Sequence, residues 1–324
     1  MKQTEVLIVG GGPAGAACAW ALRRQGVDCL ILDRETFPRL KLCAGWITPD
    51  VLEDLELEPE AYPHGLTTLS KLRLSVRGLA LTLPARQMAI RRIEFDAWLL
   101  ERAGVPVETH HVRDIVRREG GYVVDDAYFA RYLVGAGGTH CPVARAFFDD
   151  VNPRSPDNLI VTQEEEFVYA GPTRARDTCY LWFFEHGLPG YAWFVPKVGS
   201  VVNVGVGGKA QTLKGRGETI QEHWARLVAE LDRLGLVRDH SFQPKGHAYY
   251  LRGPRPELRS GNAFVVGDAA GLATADLGEG IAAAVRSGLL VANAIARNEA
   301  CDVGAIRAWS QPRWIGRLLA AAYG

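Results

Sequence analysis

An unbroken apolar run, Val6-Leu7-Ile8-Val9, stops at three consecutive glycines, Gly10 to Gly12. That is the pattern of a buried strand closed by a turn. The small-residue stretch beyond Pro13 reads as a helix, and a second apolar run, Cys29 to Leu32, ends on Asp33, completing a strand–helix–strand unit. A further helix is expected over Ile93–Ala103, where Phe95, Trp98 and Leu99 or Leu100 fall at helical spacing. Strand-like pieces follow at Val112–Arg118, Tyr122–Asp125 and Tyr128–Val134. From about Asn158 to Leu251 apolar and polar residues alternate in short runs separated by Gly, Pro and charged turns, the pattern of a mostly antiparallel sheet. Tyr191–Pro196 and Val201–Val206 read as a hairpin, with Tyr191 and Trp193 on one face and Ala192 and Phe194 on the other. One helix, Glu218–Leu234, interrupts these strands. Toward the end, a strand reaching Gly267-Asp268 leads through a glycine-bearing loop into an Ala-rich helix, Ile281–Ala296.

Composition narrows the class. With 324 residues, 48% hydrophobic and 23% charged, the chain can bury a sizeable core, and its length suggests about two domains. The formal net charge is zero and no basic stripe is present, so nucleic acid is not an expected partner. Arg286 and Asn293 interrupt the most apolar helix, so it is not read as a membrane span, and a cytoplasmic protein is expected. The six cysteines, at 18, 29, 43, 141, 179 and 301, show no metal spacing and are expected to be reduced thiols. His110-His111 has no spaced acidic or cysteine partner in the sequence, so no metal site is assigned there.

Two segments at opposite ends of the chain carry candidate chemistry. In Gly10-x-Gly12-x-x-Gly15, the first glycine permits the turn and the second lets the backbone approach a pyrophosphate. The third lets helix and strand pack closely, and the helix start at Pro13-Ala14 offers N–H groups to the anion. Asp33 is placed to accept from ribose hydroxyls, which suits FAD or NAD better than NADP. The far segment chooses between them: Gly267-Asp268 at a strand end can meet a ribityl chain, and the helix start near Gly278-Glu279-Gly280-Ile281 can face a reduced flavin ring. A nicotinamide dehydrogenase needs no such second element, so FAD is the expected cofactor.

Three motifs resemble the geranylgeranyl reductase family within the para-hydroxybenzoate hydroxylase-like flavoprotein superfamily. They are Phe37-Pro38-Arg39-x-Lys41-x-Cys43, the strand Gly190-Tyr191-Ala192-Trp193-Phe194-Val195-Pro196-Lys197, and Gly271 after GDAA. The resemblance spans nearly the whole chain and is strongest at 4–45, 90–100, 190–208 and 262–296. Ala44, Ala136-Gly137-Gly138 and Ala275 depart from the family pattern. The resemblance implies an α/β (α+β overall) fold: a Rossmann-like FAD-binding domain of the glutathione-reductase type, with an inserted, mostly antiparallel substrate sheet. The FAD-binding pieces are expected at 1–70, 90–155 and 255–324, the substrate domain at 71–89 and 156–254. Cys43, Tyr191 and Trp193 are the candidate catalytic residues, with Arg34, Lys41, Cys43 and Arg92 added to the cofactor set. Loop cations Arg39 and Lys41 are candidates for FAD phosphates or an anionic substrate.

The implied activity is FAD-dependent reduction of a small, apolar, unsaturated prenyl or quinone-like substrate, using hydride from flavin N5. Two alternatives stay open: an FAD-dependent monooxygenase, of hydroxylase or halogenase type, and a non-catalytic FAD-bearing lipid or partner carrier. NAD(P)H and an electron-donor protein both stand as candidate electron sources, and peripheral membrane association stays open.

Overall fold

The computed structural model describes residues 1–171 and 175–322, and the chain folds as two compact units. The first gathers Met1–Arg39, Ile93–Ser155 and Tyr250–Gln311; the second gathers Leu40–Arg92, Pro156–Tyr249 and the C-terminal stretch from Pro312.

In the first unit the strand Lys2–Val9 pairs in parallel with Cys29–Asp33 on one side and Tyr128–Gly135 on the other. Val107–Thr109 extends the sheet beyond Cys29–Asp33, and Ala263–Val265 extends it beyond Tyr128–Gly135, both in parallel. Val6 to Val9 are all buried, as a central parallel strand covered on both faces requires. Ile115–Arg118 and Gly121–Val124 add an antiparallel meander onto Tyr128–Gly135, where the sequence reading expects strand-like pieces. Leu7, Val9, Leu133, Val265 and Phe148 share one continuous core. His110, read from sequence as lacking an acidic partner, lies 2.7 Å through Nε2 from Asp125. The turn at Asp125-Asp126, both at positive φ, returns the chain to that point.

The helices Pro13–Arg24 and Ile281–Arg297 pack closely within this unit. Gly288 makes that approach feasible, since a Cβ there would lie 2.3 Å from the Ala14 carbonyl oxygen. Sequence segments almost the full chain length apart are thereby joined.

The second unit is an eight-stranded sheet. Leu159–Val168, Val201–Lys209, Gly190–Lys197 and Thr178–Phe183 run antiparallel in that order, and the hairpin Thr67–Val76/Leu79–Ala89 joins in parallel through Thr67–Val76 against Thr178–Phe183. Lys245–Tyr250 and Trp46–Ile47 complete its two ends. One face is covered by the helix Ile220–Arg233, whose Trp224, Leu227 and Leu231 pack with Ala192, Phe194, Val202, Val204 and Val206. The expected helix start at Glu218 moves to Ile220 because Thr219 caps it. The Thr219 hydroxyl accepts from Glu222 N, and the Glu222 carboxylate accepts from Thr219 N at 2.7 Å, a reciprocal box that fixes the first turn.

Residues 40–70, read from sequence with the FAD-binding pieces, pair instead within this second unit. Trp46 and Ile47 bond to Ala89 and Met88, and Thr67 opens the hairpin.

Replacing Gly288 by Ala is expected to force the two helices apart and to lower unfolding free energy by about 1–3 kcal/mol. The matched control is Gly215→Ala, in the helix Ala210–Arg216, where nothing lies within 4 Å of an added Cβ. That change is expected to be neutral or stabilising by up to about 1 kcal/mol, and parallel chemical melts check both.

Candidate functional site

The strand Lys2–Val9 delivers the chain to Gly10 at φ 115, where a Cβ would lie 2.4 Å from the Ala136 carbonyl oxygen. Gly15 is held as tightly, its added Cβ falling 1.9 Å from the Gly10 oxygen. Between them Gly12 is extended, precedes Pro13 at the helix start, and provides no side-chain cap. The first-turn N–H groups of this helix therefore need an external acceptor, and the helix dipole favours an anion there. A Cβ on Gly12 would find Arg39 Nη2, at 3.4 Å, as its nearest neighbour; this glycine leaves open the approach that a pyrophosphate requires. Arg39 is held for that approach by stacking 4.6 Å from the Phe37 ring and pairing at 3.6 Å with buried Asp96.

Asp33 has a structural task besides the expected ribose contact. Its Oδ2 accepts from Gly11 N at 2.6 Å and its Oδ1 from Glu35 N at 2.9 Å, so it pins the glycine loop to the end of the second strand. Each oxygen retains a lone pair for a hydroxyl donor. Arg34 projects outward, its side chain mostly exposed and 3.5 Å from Glu35.

The far glycine segment arrives at the same cradle. Gly267, at φ 57, donates its N–H to buried Ser287 Oγ at 2.9 Å. A Cβ on Gly267 would lie 3.2 Å from Ala14 Cβ. Asp268 Oδ1 lies 3.4 Å from where Gly280 would carry a Cβ, just before the helix starting at Ile281. Gly278, at φ 65, turns the loop into that helix. The loop is braced by groups the sequence reading missed. Asp276 accepts from Leu277 N, Ser310 N and Gln311 N, each at 2.9 Å, while Thr274 Oγ1 accepts from Glu279 N at 3.0 Å. Gly10, Gly12, Pro13, Ala14, Gly15, Asp33, Gly267, Asp268, Gly278, Gly280 and Ile281 are thus gathered in one unit. Their glycine approaches, open helix start and fixed acids fit FAD.

Lys41, Cys43, Arg92, Tyr191 and Trp193 belong to the second unit, where a buried polar group forms around the strand Leu159–Val168. Trp193 Nε1 donates to Asn203 Oδ1 at 2.7 Å, and Asn203 Nδ2 donates to the Cys43 carbonyl at 3.3 Å. Cys43 and Trp193 are therefore tied through one asparagine. Cys43 Sγ accepts from Gly45 N at 3.3 Å. Lys197 Nζ, with no exposed side-chain surface, is 2.5 Å from Glu166 Oε2, and Arg91 Nε donates to Glu166 Oε1 at 3.1 Å. Lys41 Nζ donates to His247 Nε2 at 2.8 Å.

Glu164 lies two residues from Glu166 on the same strand face and is 2% exposed. Burial raises its carboxyl to about 7, against the opposing pull of Lys197 and Lys41; Glu166 adds to the rise and Arg92 opposes it. Glu164, Glu166, Lys197, Asn203 and His247 were missed from sequence. The available signal was the alternation in Gln163-Glu164-Glu165-Glu166, which puts Glu164 and Glu166 on one face.

Cross-strand register extends this face into an apolar surface. Glu164 opposes Gly205, which opposes Trp193, then Leu181, Leu74 and Leu81. The adjacent row runs Thr162, Gly207, Tyr191, Phe183, Val76, Leu79. The glycines make room for the indole: a Cβ on Gly205 would lie 2.1 Å from Trp193 Cζ2. Tyr191 packs 5.2 Å from the Phe183 ring and 5.8 Å from Trp193. One sheet face therefore grades from a buried carboxyl through aromatic rings to aliphatic side chains.

Residues 3–67 match the FAD binding domain family. Over 325 residues the chain is 27% identical to digeranylgeranylglycerophospholipid reductase 3 of Methanosphaera stadtmanae, across 92% of this chain and 78% of the relative. It is also 27% identical over 340 residues to menaquinone reductase of Mycolicibacterium smegmatis, across 90% of this chain and 76% of that one. The crystal structure of a geranylgeranyl bacteriochlorophyll reductase-like protein from Thermoplasma acidophilum shares the fold, with a TM-score of 0.79 at 18% identity over 100% of this chain and 85% of that chain.

Gly12→Val places methyl groups in the open mouth of the cradle. FAD retained after desalting is expected to fall at least about tenfold, while the chemical melt shifts by no more than about 1 kcal/mol. Equal FAD retention would show that Gly12 does not face the cofactor.

Proposed function

We propose that this chain, an FAD-dependent oxidoreductase of the flavoprotein superfamily, reduces an apolar unsaturated molecule of prenyl or quinone-like character. The observation that carries this reading is the graded sheet face running from Glu164 through Trp193 and Leu181 to Leu74 and Leu81. A long hydrocarbon laid across those strands buries apolar area against leucines and rings, at about 25 cal/mol per Å² removed from water. The names of the two reductase relatives agree with that chemistry. The proposed cellular setting is the cytoplasm, with NAD(P)H or a donor protein supplying electrons. Among the described residues no helix is long and apolar enough to cross a membrane.

FAD, when bound, supplies two-electron transfer. The chain's own residues must orient the substrate, exclude water and provide a proton. Trp193 is fixed in place by Asn203 and by the missing side chain at Gly205, and serves as a rigid wall against which an alkene or quinone ring lies flat. Glu164 is the group best prepared to give up a proton near neutrality, because burial keeps its carboxyl protonated up to about 7. Lys197, Lys41 and Arg92 limit that rise and stabilise the carboxylate left behind. Cys43 and Tyr191, bound to or packed on the same Trp193–Asn203 pair, are the other proton-donor candidates. Asn203 acts as a positioning residue through both Trp193 and Cys43.

Anaerobic turnover of the FAD-loaded protein with dithionite as reductant and a prenylated lipid or a menaquinone as substrate, followed by product mass, tests the reaction. Gain of hydrogen without oxygen supports the reading. Product formed only in air, carrying an oxygen atom from O₂, would overturn it in favour of a monooxygenase.

Glu164 gives a separate pH signature. Activity is expected to fall as pH rises through about 7, where the carboxyl ionises. Glu164→Gln should lower the rate by about 10²–10⁴-fold and remove that limb. The same group binds a proton in the folded chain between its ordinary 4.5 and about 7 that the unfolded chain has already lost. Stability should therefore decline with rising pH across that window. Melts of Glu164→Gln should lack this component, worth about 1–3 kcal/mol.

A further inference from the structure

The hairpin Thr67–Val76/Leu79–Ala89 presents hydrophobic residues in an arrangement the fold itself does not use. Leu72, Leu74 and Val76 oppose Leu83, Leu81 and Leu79, so all six project from one face. Leu79 is 81% exposed, Leu81 58% and Val76 41%. Among the described residues, the outer edge of Leu79–Ala89 is paired only at Met88 and Ala89, by Trp46–Ile47. A bare strand edge carrying exposed leucines is a liability in water unless something covers it.

Charge says what covers it. Between Thr67 and Ala89 the sequence holds Lys71, Arg73, Arg77 and Arg86 and no Asp or Glu, in a chain of zero formal net charge. Asp177, just before the neighbouring strand, pairs with Lys71 at 3.2 Å, and Arg73 lies 6.0 Å over the Tyr180 ring. At the hairpin tip, Arg77 shares with His186 and Arg216 an open cleft of ≈ 480 Å³. The one carboxylate lining that cleft, Glu185, is turned to the hairpin, its Oε1 accepting from Ser75 Oγ at 2.7 Å and Gly78 N at 2.8 Å. Arg216 Nη1 donates to the Gly187 carbonyl at 2.6 Å, which holds its guanidinium at the cleft wall.

We propose that this hairpin docks on an anionic lipid surface, with Leu79, Leu81 and Val76 entering the acyl boundary while Arg77 and Arg216 meet phosphate headgroups. An apolar face whose tip carries Arg77 beside Arg216, with the one carboxylate of that cleft, Glu185, turned to the hairpin, matches that interface in both its terms, burial and charge. The same leucines continue the rows that lead to Tyr191 and Trp193. Delivery of an apolar substrate along the face follows, and that step alone rests on the reductase reading above.

The test is cosedimentation of the FAD-loaded full chain with vesicles of phosphatidylcholine alone and of phosphatidylcholine with phosphatidylglycerol, without substrate. Binding is expected to the anionic vesicles, weakened by added salt, and reduced at least tenfold by Leu79→Ser with Leu81→Ser and severalfold by Arg77→Glu. The flavin spectrum and melting temperature of these variants should match the unaltered protein, since the side chains are exposed. No binding to anionic vesicles, or binding unchanged by the serine variants, overturns the proposal. So does a concentration-dependent dimer abolished by the serine pair in a protein that ignores vesicles, which would assign the edge to a second copy of the chain. Vesicle binding by a protein that fails to reduce any lipid would retain the docking surface and reject the reductase reading.

Discussion

The close approach of the chain's two ends at Ala14 is the constraint on which the cofactor half depends. Gly288 lets the late helix lie against the Ala14 carbonyl, and Gly267 brings the late strand end against its methyl group. Side chains at either glycine would separate the helix start at Pro13 from the loop carrying Asp268 and Gly280. In the proposed FAD site two helix N-termini from these distant segments would share one ligand, and backbone-close packing is what sets their separation. Asp33 and Asp276 then do similar work at the two loops, spending carboxylate oxygens on backbone N–H groups to hold each loop in shape.

In the second unit the organising feature is the difference between the sheet's two faces. Ala192, Phe194 and Val204 meet the helix Ile220–Arg233 and form ordinary core. On the other face the small residues Gly205 and Gly207 create room for Trp193, and Glu164 lies within reach of Lys197, Lys41 and Arg92. A buried carboxyl with three cations around it would ionise fully if Coulomb attraction outweighed desolvation. Its rise to about 7 shows desolvation to be the larger effect here. The balance leaves a group able both to hold a proton at neutral pH and to release it without stranding an uncompensated charge.

Legibility from sequence followed the range of the interactions concerned. Gly10, Gly12, Gly15 and Asp33 were readable because their tasks are set within one strand–helix–strand unit. Gly267, Asp268 and Gly280 were readable as a second local motif, and the hairpin of Gly190–Lys197 with Val201–Lys209 by its alternation. The pairing of Thr67–Val76 with Thr178–Phe183, more than a hundred positions later, was not. Glu164 carried no signal of its burial, and the cations that act on it, Lys197, Lys41 and Arg92, come from three separate segments. Asn203 carried no signal either, since its role exists only where Trp193 and Cys43 come within reach together. The exposed hairpin illustrates the reverse case, in which strongly apolar residues at strand spacing did not become core.

Whether the Glu164–Trp193–Leu81 face holds the substrate, as proposed above, is read by photo-cross-linking. An FAD-loaded sample would be irradiated with a prenyl quinone bearing a diazirine in its tail, and the adducts mapped by peptide mass spectrometry. Labels are expected on Trp193, Leu181, Leu74 or Tyr191, and an unlabelled prenyl quinone should compete them away. Competable labels confined to the helix-covered side, at Phe194 or Trp224, or no competable label on this sheet, would contradict it.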